Sequence, residues 1–114
     1  MTEKIWGTTA ALVVTPLFEM HRLRIKPEHR CSLHVHKFKW NAFYVLAGKL
    51  FIDSLLEDFS SVLTAVLVVH EFATVAPGTH HQFRTGDEET IALEMYYTEP
   101  LSEDIIRRNV GGPN

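Results

Sequence analysis

Residues 18–26 alternate in polarity one residue at a time, and this pattern constrains the fold most. His21, Leu23 and Ile25 fall on one face of an extended chain, and Arg22, Arg24 and Lys26 on the other. A period of two is the period of a strand with one face buried, and it excludes a helix over this stretch. The remaining segments are equally short and carry strand-like composition: 11–15, 32–36, 43–47, 50–54, 62–69, 72–75, 81–84 and 91–98. Between them lie turn signals: Pro16, Pro27-Glu28-His29, Gly48, residues 57–61, Pro77-Gly78 and residues 86–89. Many short strands at close spacing predict an all-β antiparallel barrel or sandwich. Only the tail reads as helix, over about 102–109. Ser102 suits an N-cap, Glu103 and Asp104 the first turn, Arg107 and Arg108 the last, and Gly111-Gly112 the stop.

A chain of 114 residues is one domain, 1–114, long enough to bury a true core, which is expected over about 18–98. The formal net charge of −3 with no basic block gives nucleic acid nothing to bind, and no basic amphipathic segment suits a membrane surface. The longest apolar run, 62–69, is too short to span a bilayer. Met1-Thr2-Glu3-Lys4 lacks the apolar core of a signal peptide, and one cysteine, Cys31, forms no internal disulfide, so a cytoplasmic location is expected. Cys31 reads as a small half-buried strand residue rather than a nucleophile.

Function is expected among the seven histidines, at positions 21, 29, 34, 36, 70, 80 and 81. In His34-Val35-His36 the two imidazoles project from the same strand face, so both can reach one metal ion. A third ligand has to come from elsewhere, and His80-His81 offers at most one, because neighbours on a strand face opposite ways. His21 shares a face with Leu23 and Ile25 and is expected to be a satisfied core histidine, and His29 and His70 are placed at strand or loop ends.

The segment His34-Val35-His36, four residues, Asn41, six residues, Gly48 resembles the first motif of the cupins. The segment Ala76-Pro77-Gly78-Thr79-His80-His81-Gln82-Phe83 resembles the second. Trp6-Gly7, Ser32-Leu33 and the acidic, arginine-ended tail 101–108 extend the likeness, and within the cupins the chain resembles the C-terminal domain of type II mannose-6-phosphate isomerases. The resemblance implies a small jelly-roll barrel with one divalent transition metal, Zn, Fe, Mn or Ni, on His34, His36 and His81. Asn41 stands where the family carries a glutamate. It offers a neutral carbonyl, which leaves the ion its full +2 charge and favours an anionic ligand or a metal hydroxide.

Strand parity puts Asn41, Phe43, Val45, His81 and Phe83 inside the barrel, with Ile91, Leu93, Met95 and Tyr97 as the inward face of the last strand. A pocket for a small-molecule ligand is expected among Phe38, Lys39, Trp40, Phe43, Phe83 and Tyr97, with Lys37, Lys39 and Arg84 available to an anion such as a sugar phosphate. By the same parity Glu94 faces out, which leaves the interior without a base. Two classes of function stay open: a metalloenzyme, an isomerase or an oxygenase, and a non-catalytic small-ligand-binding module. Tyr44, Leu46, Leu55, Leu56 and Phe59 form an outward apolar set and predict a homodimer.

Overall fold

The computed structural model describes residues 1–57, 60–99 and 104–114. Among them are nine strands: β1 (Thr2–Lys4), β2 (Gly7–Val14), β3 (Phe18–Ile25), β4 (Trp40–Ala47), β5 (Leu50–Leu55), β6 (Val62–Leu67), β7 (Phe72–Val75), β8 (His81–Arg84) and β9 (Thr90–Tyr97). They pair antiparallel in two sheets, β1-β2-β3-β9-β4-β7 and β6-β5-β8. Leu23, Ile25, Phe43, Val45 and Ala92 from the larger sheet meet Leu50, Ile52 and Phe83 from the smaller one in a single buried core. The Phe43 and Phe83 rings cross edge to face at 5.9 Å between the sheets. Each large apolar side chain buried in this way contributes about 1.5–3 kcal/mol.

The chain starts its sheet earlier than its pattern suggests. β1 and most of β2 carry threonines and alanines with little hydropathic alternation, and β2 is a strand through its pairing with β3 from Gly7↔Ile25 onward. Gly7 permits that pairing. Its φ is +152°, and a Cβ there would lie 1.8 Å from the Arg24 carbonyl oxygen. Gly48, at φ +83°, turns β4 into β5 against the Glu89 carbonyl.

The expected tail helix does not appear among the described residues. Residues 104–114 contain no helical turn, and Ser102 and Glu103 lie outside the described residues. The physical reason is an apolar face with nothing to cover it: Ile105 and Ile106 are 67% and 91% exposed. A helix of eight residues without tertiary packing does not overcome its nucleation cost. Residues 32–36 also differ from the expected strand. They run beside β8 through isolated bridges, His34↔His81 and Arg30↔Arg84, which keep the chain extended without building a regular ladder.

β9 corrects the expected parity. Its residues pair Asn41↔Tyr96, Phe43↔Glu94 and Val45↔Ala92 on one side, and His21↔Glu94 and Leu23↔Ala92 on the other. Residues directly opposite in a sheet share a face. Asn41, Phe43, Val45 and Leu23 face inward, so Ala92, Glu94 and Tyr96 do too, and Ile91, Leu93, Met95 and Tyr97 take the other face.

Candidate metal centre and cavity

His34 and His36 come from the extended segment beside β8, and His81 opens β8 itself. The two backbone hydrogen bonds between His34 and His81, 3.0 and 2.9 Å, lock the segment to the strand. Gly78, in the Pro77-Gly78 turn, donates to the His36 carbonyl at 2.8 Å and fixes the second histidine's backbone. The three rings therefore converge, with centroids 4.7–5.5 Å apart. One ligand nitrogen from each lies within 4.8 Å of the others.

The hydrogen bonds at the rim set which nitrogens point inward. His34 Nδ1 lies 2.8 Å from the Ser32 carbonyl oxygen, and His81 Nδ1 lies 2.9 Å from that of Thr79. A carbonyl only accepts, so in each ring Nδ1 carries the proton and Nε2 presents a lone pair. His36 Nε2 is buried and has no hydrogen-bond partner. Burial first, and then the neighbouring His34 charge, holds the His36 side chain below the ordinary histidine range. Burial likewise dominates at His81, lowering it against the Thr79 hydrogen bond. Neutral imidazoles are the form that binds metal.

Asn41 completes the cluster. Its amide nitrogen donates to the Met95 carbonyl at 3.0 Å and lies 3.4 Å from Glu94 Oε2, which orients Oδ1 toward His81 Nε2 at 3.0 Å. A neutral His81 has one proton for two carbonyl oxygens, Thr79 O and Asn41 Oδ1; with the proton on Nδ1, Nε2 and Oδ1 are both left to a shared cation. Two ligand atoms at right angles on bonds of about 2.1 Å lie about 3.0 Å apart, the spacing found here. The buried His36 nitrogen, without a partner among the described residues, and the 3.0 Å approach of His81 Nε2 to Asn41 Oδ1 both fit a bound divalent ion.

Behind Asn41 lies the carboxylate that parity had turned outward. Glu94 is 7% exposed, and burial pushes its carboxyl above the usual range against hydrogen bonds from Tyr96 and Asn41. Burial and the Glu94 charge together raise the Tyr96 phenol. The Tyr96 ring bridges the two regions, 5.0 Å from His36 and 5.9 Å from His21. On its far side a cavity of about 680 Å³ opens, lined by Trp6, His21, Leu23, His34, Phe83, Glu94 and Tyr96 and by the exposed cations Lys4 and Arg30.

The expected pocket and this cavity share only Phe83. Phe43 is core, with no exposed surface. Phe38 is 81% exposed. Trp40 and Tyr97 stack on each other at 6.4 Å, away from the cavity lining. Lys39 pairs with Glu19 at 3.2 Å, and Arg84 with Asp53 at 2.8 Å, so two of the three cations expected to draw an anion already have carboxylate partners, and the third, Lys37, is exposed and outside the cavity lining. Cys31 lines the cavity, but its sulfur accepts the Phe83 amide at 3.1 Å and burial pushes its thiol up to about 11. That suits a packing residue. Of the other histidines, His21 sits 3.4 Å from Glu19, His29 binds the Pro27 carbonyl, His70 meets the Tyr44 hydroxyl at 2.9 Å, and His80 is half-buried. Glu94, Tyr96, Lys4 and Arg30 escaped sequence reasoning. The cross-strand pairing of β9 with β4 is the signal that would have found the first two.

No family model matches the chain, and no curated protein matches it in sequence. Solved structures do match in shape. The capsular polysaccharide assembling protein CapF of Staphylococcus aureus superposes with a TM-score of 0.76 at 18% identity, covering 90% of this chain and 31% of that one. A Bacillus subtilis oxalate decarboxylase, studied for its Mn(II) centres, gives 0.71 at 17% identity, covering 84% and 26%. A Schizosaccharomyces pombe cupin domain gives 0.69 at 16% identity, covering 80% and 64%. This chain thus spans about a third or less of the first two proteins. The likeness is one of fold, and the fold is that of the cupin domain.

Proposed function

We propose that this cupin-fold chain holds one divalent transition metal on His34, His36 and His81, with Asn41 as a neutral oxygen donor, and acts on a small polar substrate bound in the cavity beside it. The observation that carries this reading is the cluster itself: three imidazoles with ligand nitrogens within 4.8 Å, one of them buried without a partner. A three-imidazole set suits Zn, Fe or Ni, and the Asn41 carbonyl adds the kind of oxygen donor that Mn takes, with which the Mn(II) centres of the similarly folded oxalate decarboxylase are in keeping. When bound, such an ion polarises a carbonyl or a coordinated water.

The enzymatic reading gains on the binding-module reading through Glu94. A buried carboxyl that lines the substrate cavity, hydrogen-bonded by Tyr96 and Asn41 and without a cation in contact among the described residues, can give or take a proton. Tyr96 steadies the charged form by donating to it, and Asn41 ties its position to that of the histidines. Trp6, Leu23 and Phe83 keep water from the reacting end. The chemistry that results is proton transfer on a small molecule, the class to which sugar isomerisation belongs.

Elemental analysis of the purified protein tests the reading, together with metal titration of wild type and His36→Ala. Wild type should carry close to one equivalent, and His36→Ala should bind at least about a hundredfold more weakly, beyond what loss of a supporting contact costs. Equal binding by the two proteins removes the site.

A further inference from the structure

The cavity beside the histidine cluster has a composition of its own. Its inner walls are apolar, from Trp6, Leu23 and Phe83, and Glu94 contributes its only carboxylate. Its exposed lining carries Lys4 and Arg30, and neither has an acidic partner among the described residues. What sets Lys4 and Arg30 apart from the chain's other cations is that both line this cavity. Two cations against one partly neutralised carboxylate, Glu94, which the Lys4 charge reaches without touching, leave the chamber a positive excess that an anionic ligand neutralises.

We propose that this cavity binds a small organic carboxylate, its anionic group held by Lys4 and Arg30 and its apolar body against Trp6, Leu23 and Phe83. The proposal names the substrate class for the function above and rests on that reading of the cavity. The guanidinium fork of Arg30 can take either a carboxylate or a phosphate in two parallel hydrogen bonds. Two features select a carboxylate over a phosphate ester. A phosphate is ordinarily cradled by backbone amides at a helix N-terminus, and the described residues contain no helix. Glu94 is the second: in its charged form it repels a dianion in the same chamber more than a monoanion.

Nuclear magnetic resonance titration of the whole chain tests the proposal, with phenylacetate, hexanoate, phenylacetamide and phenyl phosphate as probes at low salt. The two indole N–H signals supply an internal control, because Trp6 lines the cavity and Trp40 does not. At least one of the two carboxylates should shift the Trp6 signal and leave that of Trp40 in place. It should bind at least tenfold more tightly than phenylacetamide, and more tightly than phenyl phosphate. The double variant Lys4→Gln/Arg30→Gln should lose about tenfold or more in affinity, and 0.5 M NaCl should weaken wild type similarly by screening. The proposal is overturned if neither carboxylate moves Trp6, if amide or phosphate binds as well, or if the double variant or added salt changes nothing. Metal-stripped and Zn-loaded protein are run side by side. Carboxylate binding by the stripped form alongside a failed metal titration would end the metal reading and leave this one standing. Binding that needs Zn and ignores Lys4 and Arg30 would do the reverse.

Discussion

Asp53 and Glu94 are both largely buried carboxylates on strands, and their surroundings treat them in opposite ways. Asp53, on β5, receives hydrogen bonds from Arg84 at 2.8 and 3.3 Å, from Thr64 at 2.7 Å and from Gln82 at 3.3 Å. Burial pushes its carboxyl up, but these partners outweigh it and hold the group below the usual range. Glu94, on β9, has the neutral donors Tyr96 and Asn41 in contact among the described residues, with the His21 and Lys4 charges acting from further off, and burial wins. A carboxylate with a guanidinium across the strand is a cross-brace that ties β5 to β8. One left beside a cavity with neutral donors keeps its proton chemistry available.

The largest effect expected from this contrast is at Asp53. Asp53→Asn keeps the shape but turns charge-assisted hydrogen bonds from Arg84 into neutral ones, and should cost about 1.5–3 kcal/mol in denaturant unfolding. The folded carboxyl sits below its unfolded value. Its stabilisation is therefore present above about pH 4 and is lost as pH falls through the folded value. The wild type should lose stability on acidification, and Asp53→Asn should show a shallower loss over the same range. Parallel curves for the two proteins would mean that the brace is inert.

A smaller effect, about tenfold in metal affinity, tests the link between Glu94 and the cluster. On charge alone, Asn41→Glu should tighten binding by adding an anionic oxygen beside His81. The same change withdraws the amide donor from Met95 and Glu94 and sets two carboxylates in contact. Repulsion should cancel most of the gain. The double variant Asn41→Glu/Glu94→Gln removes it and should bind Zn about tenfold more tightly than Asn41→Glu alone, read by competition with a chromophoric chelator. Equal affinity in the two variants would show that Glu94 and residue 41 do not interact.

The sequence made the histidine cluster more legible than the cavity, for a physical reason. His34 and His36 are two apart in extended chain, so local geometry alone aims them together, and the Pro77-Gly78 turn marks where His81 enters. The inward set Asn41, Phe43 and Val45 followed from the same local alternation. β9 carries bulky apolar side chains on one face and Thr90, Ala92, Glu94 and Tyr96 on the other, so hydropathy chose the wrong face. Only the pairing with β4 and β3, between residues some fifty and seventy apart, decides it. Lys4 was hidden because β1 joins the sheet through β2 and no periodicity in Thr2–Lys4 announces it, and Arg30 because an isolated bridge to Arg84, not a strand pattern, places it. The tail failed in the other direction. Its caps and charges suit a helix, but local preference without a surface to pack on does not make one.

The smallest expected effect is the sharpest test of the contrast, because it is nearly zero. Glu94→Gln keeps the side chain's length and one carbonyl oxygen, which can still accept from Tyr96 and Asn41. It removes a carboxyl that burial already disfavours in its charged form. No guanidinium or ammonium in contact with it is left unpaired, so the reason that Asp53→Asn is costly does not apply. Unfolding stability should stay within about 0.5 kcal/mol of wild type, the range of a change that breaks no network. Metal stoichiometry should stay at that of wild type, since the histidines and Asn41 Oδ1 are untouched. Glu94→Leu separates shape from polarity. It strands the Tyr96 hydroxyl and one Asn41 donor, and should cost about 1–3 kcal/mol. A carboxyl whose amide replacement is free and whose apolar replacement is expensive is held for its proton and not for its charge. A loss of about 2 kcal/mol or more in Glu94→Gln would instead make Glu94 a second brace like Asp53, and the proton-transfer reading of the cavity would fall with it.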